Sequence, residues 1–196
     1  QKKKMFDKLV VGFFFDEVAG GFFVDVQPGQ VACVYDRLRG VLRHTWGPGL
    51  HFKLPFLQKA KLFNAQTLEY GIRTGFNTDQ NPEVLGDDPI NATTNDGINI
   101  SVQGTVLVRI NRDQVVSLWE NIGDRFVSKI VRPVCRSRIR TSLSEFTFQQ
   151  INSSVRHEAE KKIKDQLEVE FAPKGLIVEG VLLSEITQAA AAPSNN

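Results

Sequence analysis

A chain of 196 residues is long enough to bury one sizeable core, so its length predicts a single folded domain. The hydrophobic fraction of 41% and the charged fraction of 23% are ordinary for a globular protein, and a net charge of +2 provides no field that would favour nucleic acid. The two cysteines, Cys33 and Cys135, are too few for a disulfide framework, which predicts two buried thiols in a reducing or neutral compartment.

The first 23 residues form a lead in which lysines are followed by clustered phenylalanines. Five of the 14 Phe residues lie close together: Phe13, Phe14, Phe15, Phe22 and Phe23. These rings either pack into the core from an N-terminal strand or form a patch that faces lipid or a partner protein. The apolar stretch is interrupted by Asp16 and Glu17, which excludes a simple membrane-spanning helix. We predict that the five rings make contacts outside the domain, with lipid or with another subunit.

Short apolar runs separated by turn residues predict β-structure over residues 22–74. The run Val31–Tyr35 is typical of a buried strand, and the Gly-Pro-Gly sequence at 47–49 marks a tight turn. Residues 75–96 are rich in Asn, Asp, Gly and Pro, which predicts a long loop. After this loop, apolar and polar residues alternate from position 98 to position 108, the clearest strand pattern in the sequence.

The pattern then changes to helical periodicity. It predicts a short helix over 113–120, a second over 124–143, and a third that begins at a Thr-x-x-Gln capping box at Thr147 and runs to about Phe171. A last strand is expected over 176–186. Strands first, then helices packed on the sheet, then one final strand predict an α+β fold with an antiparallel or mixed sheet.

The second predicted helix carries a proline and a row of basic side chains. Pro133 predicts a kink, and we expect the Val127, Ile130 and Val134 side to pack against the sheet. On the opposite side, basic residues recur three and four positions apart: Lys129, Arg132, Arg136 and Arg140. This row is either a solvated face or a contact for an acidic partner or for lipid headgroups. No aromatic residues lie between the arginines, which disfavours nucleic acid.

Five segments of the chain occur in an order typical of one known family. They are Val26-Gln27-Pro28-Gly29-Gln30, the stretch from Gly47-Pro48-Gly49 to Pro55-Phe56, Thr94-Asn95-Asp96-Gly97, the stretch Arg132-Pro133 to Arg140, and the stretch Ala172-Pro173 to Leu183. Together they resemble the SPFH (band 7) domain of prohibitin- and stomatin-like proteins, over roughly residues 24–187. The resemblance divides the chain into a lead at 1–23, an SPFH domain at 24–187 and a disordered tail at 188–196.

The resemblance implies a non-catalytic, membrane-associated scaffold of prohibitin-like type that forms homo- or hetero-oligomers with lipids or other subunits. It also implies a location at the mitochondrial inner membrane. An alternative is an accessory subunit of a larger mitochondrial inner-membrane complex, such as a respiratory or ATP synthase assembly, in which the SPFH fold has lost its coiled coil. The contact residues expected on this basis are Phe13, Phe14, Phe15, Phe22, Phe23, Arg132, Arg136 and Arg140.

No residue pattern in the chain predicts catalysis. His44, His51 and His157 are not spaced as metal ligands, and the sequence contains neither a nucleophile motif nor a Gly-rich phosphate loop. We therefore predict no enzymatic activity, no cofactor, no metal and no small-molecule substrate.

Overall fold

The computed structural model describes residues 21–75, 86–153 and 155–189. The three predicted contact residues Phe13, Phe14 and Phe15, and most of the predicted tail, lie outside these ranges. The chain divides into two compact units, Gln1–Gln66 and Thr67–Asn196, which we call the N-terminal and the C-terminal unit.

The described part of the N-terminal unit consists of five strands in two small antiparallel groups. Strand β1 (Phe23–Val26) pairs with β4 (Gly49–Phe52) to form a two-stranded ribbon. The other group is a sheet in which β2 (Gln30–Asp36) is central, between β3 (Gly40–Trp46) and β5 (Gln58–Asn64). The run predicted at 31–35 lies in β2, where four consecutive side chains are buried: Val31, Ala32, Cys33 and Val34.

The C-terminal unit has a five-stranded mixed sheet. Its strands are β6 (Leu68–Ile72), β7 (Gly86–Asp87), β8 (Ile90–Thr93), β9 (Asn99–Ile110) and β10 (Leu176–Gln188). The order is β10-β9-β6-β7, and β8 also pairs with β9; only the β6–β7 pair is parallel. The alternation read from the sequence is confirmed in β9, where every second residue from Ile100 to Ile110 is buried.

Strand β10 approaches β9 closely at one glycine. A Cβ atom added to Gly104 would lie 2.4 Å from the carbonyl oxygen of Leu182, so a side chain at this position would displace backbone. The sheet therefore requires glycine at position 104.

The helices of the C-terminal unit follow β9 and precede β10. Single-turn 3₁₀ segments lie at Arg112–Gln114 and Ala172–Lys174. The α-helices are α1 (Val115–Asn121), α2 (Arg132–Leu143), α3 (Phe148–Ile151) and α4 (Arg156–Phe171), and a π-helical turn spans Val127–Val131. Helix α4 packs on β10, and α2 packs on both β8 and α4. The predicted α+β fold, with strands first, then helices and a final strand, is confirmed.

Two predictions about local structure are corrected. The loop predicted over 75–96 contains β7 and β8, because its small and polar residues pair with β6 and β9. The helix predicted from Thr147 to Phe171 is two helices. Its capping box forms as expected, but Asn152 Nδ2 and Ser153 Oγ then donate to the carbonyl oxygens of Phe148 and Gln150. Side-chain bonds of this kind compete with helix propagation, so α3 ends after one turn.

The π-helical turn before α2 changes which side of that helix is buried. Between positions 126 and 139 the buried residues are Phe126, Val131, Cys135 and Ile139, separated by five positions across the π turn and by four after it. Pro133 donates no N–H, and its ring would clash with the carbonyl four residues earlier in an α-helix; the wider turn accommodates it. The prediction that Val127, Ile130 and Val134 form the packed face is therefore wrong: these three side chains are only partly buried.

This face assignment leads to a stability test on one helix. Replacing Ile139, which is fully buried, with Ala is expected to lower the free energy of unfolding by about 2–5 kcal/mol through lost burial and a cavity. Val134→Ala, the matched control, is expected to lower it by less than about 1 kcal/mol. Both values are measured by chemical denaturation; equal losses would mean that the buried face is misassigned.

Candidate contact surfaces

The β1–β4 ribbon of the N-terminal unit has one largely apolar face that its own unit does not cover. Phe23 lies opposite Phe52, and Asp25 lies opposite Leu50. The exposed fractions of the three apolar side chains are 49% for Phe23, 58% for Phe52 and 68% for Leu50. Because side chains alternate across a strand, these three residues share one face with the exposed Asp25, while Val26, which is buried, lies on the other. We call Phe23, Leu50 and Phe52 the ribbon face.

Aromatic contacts organise this face. The rings of Phe22 and Phe52 are stacked, with centroids 5.8 Å apart, and the rings of Phe23 and Phe52 meet edge to face at 5.9 Å. Both geometries are favourable for aromatic pairs. Phe22 and Phe23, two of the predicted contact residues, therefore belong to a defined cluster with Phe52, a residue that the sequence analysis did not select.

Exposed apolar area is concentrated in the N-terminal unit. Of the eleven large apolar side chains that are exposed within the described ranges, nine belong to this unit, and Val169 and Leu182 belong to the C-terminal unit. Over residues 21–66 the chain also carries six Lys or Arg and two Asp, a net charge of +4. The N-terminal unit thus combines exposed apolar side chains with positive charge.

The predicted basic row of the second helix is engaged within the C-terminal unit. Arg136 Nη1 lies 2.8 Å and Arg132 Nε lies 3.5 Å from Oδ2 of Asp87. Arg132 also donates a hydrogen bond to the carbonyl oxygen of Gly86, and Arg140 donates one to the carbonyl oxygen of Asn91; both donor–acceptor distances are 3.0 Å. These bonds attach α2 to the segment that contains β7 and β8. The contact role expected for the three arginines stays a prediction.

Asp87 is the residue that sequence reasoning missed in this cluster. It is buried, and its Oδ2 also accepts a hydrogen bond from the Tyr70 hydroxyl at a distance of 3.2 Å. Burial by itself raises the pKa of Asp87, but the hydrogen bond from Arg136, the N–H of Asp88 and the arginine charges outweigh burial and hold the pKa below its usual value. The Gly-Asp-Asp-Pro sequence at 86–89 is typical of an exposed turn, so nothing local marked Asp87 as a buried ion.

The Tyr70 hydroxyl and the two thiols are kept neutral by their surroundings. Burial, and then the nearby charge of Asp87, raises the pKa of Tyr70. Cys33 and Cys135 are free and buried, as predicted, and burial raises their pKa values to about 11 and about 12. Neither thiol forms the reactive thiolate at neutral pH.

Within residues 21–75, 86–153 and 155–189, no three His, Cys, Asp or Glu side chains are grouped so that they could hold a metal ion. In the same ranges, no helix combines the length and the apolar character needed to cross a membrane.

Comparison with known proteins identifies one family. The model of the SPFH domain / Band 7 family matches residues 24–193. Among curated relatives, Prohibitin 1 of Mus musculus is 22% identical over 174 residues, which cover 87% of this chain and 58% of the relative. Prohibitin-1 of Saccharomyces cerevisiae is 23% identical over 163 residues, covering 83% and 51%. Mitochondrial prohibitin complex protein 1 of Caenorhabditis elegans is 20% identical over 173 residues, covering 86% and 57%. The chain spans about half the length of these relatives.

The charge cluster leads to a pH-dependent prediction. A carboxyl group with a depressed pKa stabilises the folded state above its unfolded pKa of about 4, and this contribution disappears as the pH falls through the folded value. We expect Asp87→Asn to lower the free energy of unfolding by about 1–3 kcal/mol at neutral pH, because two arginines lose their counter-ion. The difference from the unmodified chain should shrink in acid, as followed by denaturant titrations at several pH values.

The adjacent Asp88, whose side chain is exposed, provides the matched control. Asp88→Asn removes the same charge one position away and should change stability little at any pH. A loss in Asp87→Asn that did not vary with pH would show that packing, and not charge, is what Asp87 contributes.

Proposed function

The chain belongs to the SPFH domain / Band 7 family, and on that premise we propose that it is a non-catalytic, membrane-associated scaffold domain of prohibitin-like type. Its similarity to prohibitins supports a membrane-associated scaffold family. The Caenorhabditis elegans relative is a mitochondrial prohibitin complex protein, and this similarity supports a proposed location at the mitochondrial inner membrane for this chain.

The observation that carries the proposal is the coincidence of apolar exposure and positive charge in the N-terminal unit. Fully burying one large apolar side chain is worth roughly 1.5–3 kcal/mol, so a face of three such residues gains free energy when water is removed from it. Lys and Arg side chains near an anionic membrane add about 1 kcal/mol each. A lipid interface supplies both an apolar layer and negative charge, so it suits a unit of net charge +4.

Within this proposal the ribbon face meets the boundary between headgroups and acyl chains. Phe23 and Phe52 are held by their mutual ring contact, so little side-chain freedom is lost when they are buried. Phe13, Phe14 and Phe15 precede the ribbon in the chain, and we propose that they extend the same contact. The arginines of α2 are a subordinate part of the proposal, because their guanidinium groups already bond to Asp87, Gly86 and Asn91.

Vesicle flotation tests the membrane role of the ribbon face. We expect the full chain to float with vesicles and the double variant Phe23→Ser/Leu50→Ser to bind at least about tenfold more weakly, because each lost apolar side chain removes more than about 1.4 kcal/mol of burial. The matched control, Val169→Ser/Leu182→Ser, removes two exposed apolar side chains from the C-terminal unit and should bind as the unmodified chain does.

The proposal fails if the ribbon-face variant floats normally but melts at a lower temperature, since the two residues would then act in folding alone. The native mass of the endogenous assembly addresses the second part of the proposal. A large homo-oligomer supports a scaffold, whereas a hetero-complex with this chain in low copy supports the accessory subunit.

A further inference from the structure

Two loops of the N-terminal unit are joined at one end of its three-stranded sheet. The first is the β2–β3 turn at 37–39, and the second is the β4–β5 connection at 53–57. The N–H of Arg37 donates a hydrogen bond to the carbonyl oxygen of Leu57 at a distance of 2.9 Å, so the backbones of the two loops are in direct contact. We call these two segments together the two-loop tip.

A buried carboxylate holds the tip in one shape. Asp36 Oδ1 accepts from the N–H groups of Leu38 and Arg39, at 2.9 and 3.3 Å, and Asp36 Oδ2 accepts from Gln58 Nε2 at 3.1 Å. Gln58 Oε1 in turn accepts from the N–H of Leu54 at 3.0 Å. The backbone N–H of Leu38, and then Gln58, hold the pKa of Asp36 below its usual value, so the group stays ionised and keeps these bonds at neutral pH. Both loops are therefore fixed to a single anchor.

The side chains at the end of this fixed structure are apolar and exposed. Leu38 is 81% exposed and Phe56 is 87% exposed, and Leu54 and Leu57 are exposed beside them. Phe56 also has a φ of 69°, the left-handed region that a bulky side chain rarely adopts. Phe56 is thus held in an unfavourable backbone conformation with its ring directed away from the core, an arrangement that packing within the unit does not explain.

Basic residues lie within and next to the two loops. Arg37 and Arg39 flank Leu38 in the sequence, Lys53 begins the second loop, and Lys59 follows it. Asp36 is buried and hydrogen-bonded, and its Oδ2 lies 3.5 Å from a guanidinium nitrogen of Arg39, whose side chain stays 70% exposed. No Asp or Glu occurs from position 37 to position 66. An apolar tip with four basic residues on or next to its loops complements a surface that has negative headgroups above an apolar layer.

We propose that the two-loop tip is an insertion wedge for anionic phospholipid, in which Leu38 and Phe56 enter the acyl boundary while Arg37, Arg39, Lys53 and Lys59 bind headgroup phosphates. This inference rests on the proposed membrane association. It adds the class of lipid that is bound and the residues that recognise it. The ribbon face supplies contact that does not depend on headgroup charge, and the tip supplies preference for anionic lipid.

The decisive variant is Phe56→Gly, because glycine adopts positive φ without strain. The variant removes the ring and relieves the backbone, so its thermal midpoint should stay equal or rise while binding falls. With vesicles of equal parts phosphatidylcholine and phosphatidylserine, we expect binding about tenfold weaker than that of the unmodified full chain. Leu38→Ser should weaken binding in the same direction. If Phe56→Gly lowers the midpoint and leaves binding unchanged, Phe56 is a structural residue and the wedge is wrong.

Charge selectivity is tested with Arg37→Gln/Lys53→Gln, and Arg43→Gln on β3 is a control that removes one positive charge outside the tip. The double variant should lose the preference for phosphatidylserine vesicles over pure phosphatidylcholine vesicles, and rising salt should remove that preference from the unmodified chain. Arg43→Gln should retain it. A double variant that kept the full preference would contradict the assignment of the headgroup contacts.

The outcomes separate this inference from the proposed function. One outcome is that the unmodified chain floats while the ribbon-face variant does not and the tip variants bind normally. In that case membrane association is supported and the insertion wedge is wrong. If the unmodified chain binds neither kind of vesicle, both the proposed membrane association and the insertion wedge are wrong.

Discussion

The C-terminal unit is built on one strand whose buried face runs its whole length. Every second residue of β9 from Ile100 to Ile110 is removed from water, and β9 pairs with three other strands, β6, β8 and β10. Burial of this face sets the register of the sheet, because a shift by one residue would expose every apolar side chain on it. It also supplies the sheet on which the helices pack, since α4 lies on β10 and α2 lies on β8.

The N-terminal unit follows a different rule. Its short strands bury a small core around β2, and much of its remaining apolar area stays in contact with water. A soluble monomer rarely carries such area without a use, because removing it from water is favourable. The same unit lacks acidic residues after Asp36. A lipid interface would match both the apolar exposure and the charge, and the proposal rests on their occurrence in one small unit.

Two buried aspartates attach loops to the units that carry them, and both were hidden in turn-like sequence. Asp36 uses both carboxylate oxygens to connect the β2–β3 turn with Gln58. Asp87 is the counter-ion of Arg132 and Arg136 and accepts a hydrogen bond from the hydroxyl of Tyr70. It therefore attaches helix α2 to β7. A buried carboxylate is tolerated only when hydrogen bonds and positive charge replace its hydration, and each site meets that condition.

Sequence patterns were sufficient to predict the family, the fold class and several local elements. Alternation of apolar residues identified β9, the capping box at Thr147 is formed, and the ordered motifs identified the SPFH domain over most of the chain. Those features depend on neighbours in sequence. Tertiary structure alone decided the division into two units, the pairing of β7 and β8, the buried face of α2 and the partners of Asp36 and Asp87. The physical reason is that each of these depends on groups distant in sequence, or on a single π turn that shifts helical phase by one residue. Local periodicity carries no information about either.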